Sequence, residues 1–116
     1  MNTIGPSGID EFDPHLLNDV YSLTLARRTD ADTPRLDLDI EAGYGNDAKI
    51  RLRLGNVRQL RLPDLSYGQL QFGECWFVDV SDRGWEYIKY ELSDEIEEWE
   101  CGFETLTVLG VDRMPN

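Results

Sequence analysis

Six of the ten residues in ELSDEIEEWE (91–100) are acids, namely Glu91, Asp94, Glu95, Glu97, Glu98 and Glu100, and none is a base. Carboxylates at this density suit three kinds of chemistry. They can chelate a divalent cation, act as an acid and base on a glycosidic bond, or present a negative surface to a positive partner. DEIEE lacks the Asp/Asn spacing and central glycine of an EF-hand loop, so it carries no tuned calcium signature. With twenty-three Asp and Glu in 116 residues, carboxylate pairs arise by chance and none marks itself as catalytic. The docking chemistry has support from its neighbours, because Trp85, Tyr87, Tyr90 and Trp99 interleave with the acids and aromatic anchors dominate protein interfaces. The docking residues expected on this basis are Glu91, Asp94, Glu95, Glu97, Glu98, Trp99, Glu100, Trp85 and Tyr87. The competing reading is a solvated turn that keeps an edge strand from aggregating.

Other reactive side chains are less informative. Cys75 and Cys101 have no CxxC or Cys/His spacing, and with the single His15 they form no zinc signature. Their apolar surroundings predict buried, inert thiols. GPSG at 5–8 lacks the strand–turn–helix context of a nucleophile elbow, and DAD at 30–32 reads as a polar turn. No glycine-rich phosphate loop follows a strand. The expectation is therefore a protein with no catalytic residues, no metal and no cofactor.

Net charge narrows the partners. The chain carries −12 with a pI near 4.3, a balance that nucleic acid and anionic lipid repel and a basic protein attracts. The excess is local, since residues 61–116 hold thirteen acids against four bases. The N-terminus has acids and no apolar run, and the longest apolar run, CWFV at 75–78, is far too short for a membrane span. These features predict a cytoplasmic chain that binds neither nucleic acid nor membrane. Its length suits one domain, read as an arm at 1–14, a β domain at 15–111 and a tail at 112–116.

The elements that must hold the acidic segment are strands. VYSLTLARR (20–28) alternates, with Tyr21, Leu23 and Leu25 assigned to one face. LDLDIE (36–41) and KIRLRL (49–54) flank AGYGNDA and predict a hairpin whose paired numbers sum to 90. That register sets Leu36, Leu38 and Ile40 against Leu54, Leu52 and Ile50, and sets Asp37, Asp39 and Glu41 against Arg53, Arg51 and Lys49. ECWFVDV (74–80) is apolar on both faces, as in a central strand, and SDRG (81–84) is a turn. WEYIKYEL (85–92) then returns with a bulge near Ile88, a turn falls at 93–97, and strands continue from 98 to 111. Pairing across that turn would bring Glu91 near Glu98. The sum is mainly β: an antiparallel meander of about seven or eight strands in a β-sandwich or partly closed barrel, with little helix.

Across residues 15–111, HLLNDVYSLTLARR, KIRLRLGNVRQLRL and CGFETLTV resemble the layout of small acidic all-β immunity proteins of bacterial polymorphic-toxin systems. The resemblance implies a function by capture: such a protein binds its cognate toxin and occludes the active site or blocks a motion. It carries over no residue roles, because these proteins share no active site. A sugar- or small-molecule-binding β domain, with Trp76, Trp85 or Tyr90 lining its pocket, is the alternative, followed by a small carboxylate-dependent hydrolase.

Overall fold

The computed structural model describes residues 13–29, 34–64, 70–84 and 88–113. They form two antiparallel sheets of four strands packed face to face, a sandwich with open edges. The first sheet contains β1 (Leu17–Arg28), β2 (Arg35–Tyr44), β3 (Ala48–Gly55) and β8 (Thr105–Arg113), in the order β1-β2-β3-β8. The second contains β4 (Arg58–Arg61), β5 (Cys75–Asp79), β6 (Tyr90–Asp94) and β7 (Trp99–Phe103), in the order β4-β7-β6-β5. Each sheet is thus a three-strand meander joined by one strand from elsewhere in the chain. Among the described residues, two 3₁₀ turns, Pro14–Leu16 and Ser81–Arg83, complete the regular elements. Among the described residues, no helix is long and apolar enough to cross a membrane.

Alternation in the sequence explains the core. Leu38, Ile40 and Ala42 of β2, with Ile50, Leu52 and Leu54 of β3, meet Phe77, Leu92, Trp99, Cys101 and Phe103 from the other sheet. Each such aliphatic or aromatic side chain contributes about 1.5–3 kcal/mol through burial. Phe77 and Phe103 meet edge to face with centroids 5.9 Å apart, a favoured aromatic geometry.

The β2–β3 hairpin keeps the expected faces with a different register. Leu38 lies opposite Leu54, Asp39 opposite Arg53, Ile40 opposite Leu52 and Glu41 opposite Arg51, so paired numbers sum to 92. A shift of two preserves both the apolar and the charged matching, which is why the sequence pattern could not exclude it. The turn decides it. Tyr44 still pairs with Ala48, leaving only Gly45, Asn46 and Asp47 as the loop, and Gly45 sits at φ 67, where glycine is unstrained. The shift releases Asp37 from Arg53. Its carboxylate is instead buried, ion-paired with Arg28 Nε at 3.2 Å and Arg35 Nε at 3.5 Å, and accepts the Asn56 N–H at 3.1 Å.

Three further expectations are corrected. A bulge between Val20 and Ser22 takes Tyr21 off the face of Leu23, and the Lys49 ammonium lies 4.5 Å from the Tyr21 ring. β5 is an edge strand and not a central one. Its second apolar face carries Trp76, left 42% exposed, and Val78, which packs with Val80 and Ile88 in a small cluster outside the main core. Finally, Glu91 lies opposite Gly102 and not near Glu98, which belongs to the turn. The expected like-charge contact does not form.

Candidate functional site

The outward face of β5 and β6 gathers polar, charged and aromatic side chains around one depression. Trp76 pairs with Ser93 and Val78 with Glu91. Because side chains alternate across a strand, these four point away from the core while Cys75, Phe77 and Leu92 point into it. Together with Glu74, Arg83 and Glu95 they line an open depression of about 640 Å³. His15, delivered by the first 3₁₀ turn, sets its ring edge-on against Trp76, with centroids 4.2 Å apart and planes at 88°. One side of the indole is thereby fixed and the rest is open to the depression.

Asp94 builds the rim. Its side chain is buried, at 1% exposure for the residue, and satisfies four backbone donors. Oδ2 accepts the Gly73 N–H at 2.7 Å, and Oδ1 accepts the N–H groups of Glu74 at 3.2 Å, Ile96 at 3.1 Å and Glu97 at 3.1 Å. One carboxylate therefore ties the segment entering β5 to the turn between β6 and β7. Glu74 and Glu95, which flank those anchor points, are held on the same side of the depression. A buried carboxylate is tolerated here because charge-assisted hydrogen bonds replace its hydration.

The acidic run at 91–100 divides into parts with different duties. Glu91 and Glu95 line the depression. Glu91 also pairs with Arg83, its Oε1 lying 2.8 Å from the guanidinium. Glu97 accepts a hydrogen bond from the Gln71 side chain at 3.1 Å. Glu98 is exposed in the four-residue turn at 95–98 with φ 66, a left-handed conformation that glycine or asparagine adopts more readily. Glu100, across from Ser93, lies 3.8 Å from Arg61 with both side chains well exposed, a contact worth a few tenths of a kcal/mol at best, roughly.

Two expected docking residues are interior. Asp94 is the rim anchor just described. Trp99 is 2% exposed, stacks on Phe72 at 4.5 Å and donates its indole N–H to the Gln71 carbonyl at 2.8 Å. Tyr90, also considered as an anchor, is half-buried against Phe103. Trp85 and Tyr87 lie outside the described residues. Of the side chains lining the depression, the acidic run did not reveal Glu74, Val78 and Arg83. Trp76 was legible only as a possible lining of a small-molecule pocket. The signal for it was a strand apolar on both faces yet bounded by Glu74 and Asp79.

No family model, curated protein or solved structure matches this chain. The chemistry of the site therefore rests on its geometry. Among the described residues, no three His, Cys, Asp or Glu side chains converge so as to hold a metal ion. Cys75 and Cys101 are free and buried. Loss of hydration pushes the Cys101 thiol up to about 12, and raises Cys75 further, with the Asp94 charge adding to the effect. Neither is a nucleophile at neutral pH.

Proposed function

We propose that this chain captures a basic protein, neutralising a toxin in the manner of the immunity proteins it resembles, with the Trp76 depression as the centre of the docking surface. The observation that carries the reading is an exposed indole bordered by Glu74, Glu91 and Glu95, with the Glu97–Glu98 turn and Glu100 beside it. A lysine or arginine side chain of the partner laid on the indole gains about 0.5–2 kcal/mol from the ring and meets the Glu74 and Glu95 carboxylates beside it. The surrounding acids act at longer range. Within a Debye length of about 8 Å they raise the encounter rate and reject acidic competitors. Glu98 fits this reading, since a left-handed turn position held by an acid favours charge over local backbone stability.

The test co-expresses this chain in a sensitive host with a basic toxin domain, sought among the products of the neighbouring genes. The wild-type chain is expected to restore growth. Trp76→Ala and the triple variant Glu74→Lys, Glu91→Lys, Glu95→Lys are expected to lose protection while keeping the wild-type circular dichroism. Full protection by the folded triple variant would refute the acidic surface. A second reading has one observation in its favour: the depression falls within the roughly 300–1,000 Å³ typical of ligand pockets, and an exposed Trp is a natural platform for a sugar ring. Saturable binding of a mono- or disaccharide that is indifferent to a tenfold rise in salt, roughly, would select it, because charge-driven docking weakens under that change.

A further inference from the structure

We infer that two copies of this chain pair through β8, edge to edge and antiparallel, joining their first sheets into one continuous eight-stranded sheet. The four sheet edges are protected very unequally. On β1, residues 70–72 cover only the start of the strand, with the Val20 N–H bonding to the Leu70 carbonyl and the Phe72 N–H to the Asn18 carbonyl, both at 2.9 Å, and Arg27 and Arg28 charge its end. β4 has four residues and a kink at Gln59, with φ 56. β5 has five residues, ends in Asp79 and has the first 3₁₀ turn against it. β8 is nine residues long, and TLTVLGV (105–111) contains no charge and no proline. Among the described residues, no strand pairs with its outer side. An uncharged edge of this length, rich in Thr, Val and Leu, is a template for another strand.

The β8 sequence is matched to itself. Leu106 and Val108 lie opposite the inward Leu54 and Leu52, and Val111 lies opposite the inward Ile50. The bulge between these pairs, at Leu109, therefore inverts the parity: even-numbered residues face inward before it and odd-numbered residues after it. Two antiparallel copies paired across the bulge match inward side chains only if paired numbers sum to an odd value. A two-fold axis between Leu109 and Gly110 does this. It sets Val108 against Val111 of the second copy, Thr107 against Asp112, and Leu106 against Arg113, with no like charges opposed. Leu109 and Val111, 40% and 48% exposed, would be covered.

Charge permits the pairing despite the −12 of each copy. The strands of the first sheet carry seven bases and five acids, a net of +2, whereas those of the second carry two bases and four acids. The acidic turn and depression belong to the second sheet, so dimerisation brings together the less negative halves. An identical partner also satisfies the symmetry most homo-oligomers adopt.

Sedimentation of the purified full-length chain over rising concentration tests this. The expected mass rises from 13.3 kDa towards twice that value. Val111→Lys is expected to weaken association at least tenfold, roughly 1.4 kcal/mol. Thr107→Asp should do the same: it faces Arg53 within its own copy, which preserves the fold, but meets Asp112 across the axis. Leu25→Lys, on the opposite edge strand and 50% exposed, should leave the dimer unchanged. A wild-type chain that stays at 13.3 kDa throughout overturns the inference, even if β8 variants impair toxin capture, because the edge would then serve the toxin. A dimer insensitive to both β8 variants overturns it as well.

Discussion

Asp94→Asn separates a structural acid from a docking acid. In the folded chain the carboxylate accepts four backbone N–H groups within 3.2 Å, and almost none of it reaches water. An asparagine can keep its oxygen at the Oδ1 position and so retain the Glu74, Ile96 and Glu97 donors. Its NH₂ group then faces the Gly73 N–H at the former Oδ2 position, donor against donor. One buried hydrogen bond is lost, an N–H is orphaned, and three remaining bonds lose their charge. An orphaned buried group alone costs about 1–3 kcal/mol, so a total near 3 kcal/mol is expected. For a domain of this size that lowers the thermal midpoint by about 10 °C. Urea and thermal unfolding followed by tryptophan fluorescence measure it, since Trp99 sits beside the affected turn. Capture of the toxin at low temperature should weaken less than it does in the Glu74/Glu91/Glu95 triple variant. An unchanged midpoint combined with lost capture would refute the reasoning and return Asp94 to the docking surface.

Three other outcomes follow from the geometry. The bidentate hydrogen bond from Arg53, at 2.8 and 2.9 Å, is the main cause that holds the Asp39 carboxyl below its ordinary value of 3.8. A depressed folded value means the pair stabilises the fold above pH 3.8 and is lost as pH falls through that lower value; urea midpoints of wild type and Asp39→Asn should differ at neutral pH and converge at the acid end, and a gap that ignores pH would contradict this. Cys75 and Cys101, buried and with raised thiol values, should resist iodoacetamide at about pH 8 in the native chain and react on unfolding; mass spectrometry that finds either labelled at the rate of a free thiol would show the core to be open. Glu98→Gly removes a left-handed cost of about 1 kcal/mol, partly offset by a freer unfolded chain, and should raise the thermal midpoint by a few degrees while slowing toxin association; a lower midpoint would mean that the Glu98 side chain itself stabilises the turn.

The faces of the strands were legible in the sequence, Tyr21 at its bulge excepted, and the registers were not. Alternation in LDLDIE and KIRLRL assigns each residue to the core or to the surface, but it repeats every two residues, so a sum of 90 and a sum of 92 satisfy it equally. Only the three-residue turn at Gly45 separates them, and the buried Asp37 cage depends on that choice. The sheet partners were legible only where strands are neighbours in the chain; nothing local says that β8 leaves β7 for β3 at Glu104. The acidic cluster was visible as a surplus of charge, but its chemistry depends on which carboxylates turn inward. Asp94 and Trp99 read like their exposed neighbours because the period of a short hairpin is set by its turn. Trp76 was legible only as a pocket lining, for the opposite reason. A strand apolar on both faces suggests cover on both, and here the second face is only partly covered.

The late arrival of β8 has a consequence for how the chain reaches its native state. Its partners on β3 lie from 50 residues away, Gly55 to Thr105, to 65 residues away, Ala48 to Arg113. Until those last residues are available, the β3 ladder stays open and the Leu52–Leu54 side of the core lacks Leu106. β4 waits in the same way for β7. Neither half of the chain can therefore complete a sheet alone. Contacts this distant in sequence make folding slow and highly cooperative, and a ribosome-bound intermediate would expose an apolar β3 edge. Under the proposed capture of a toxin, the chain has to be complete before it can protect, so the interval between synthesis and closure of β8 sets how soon protection begins.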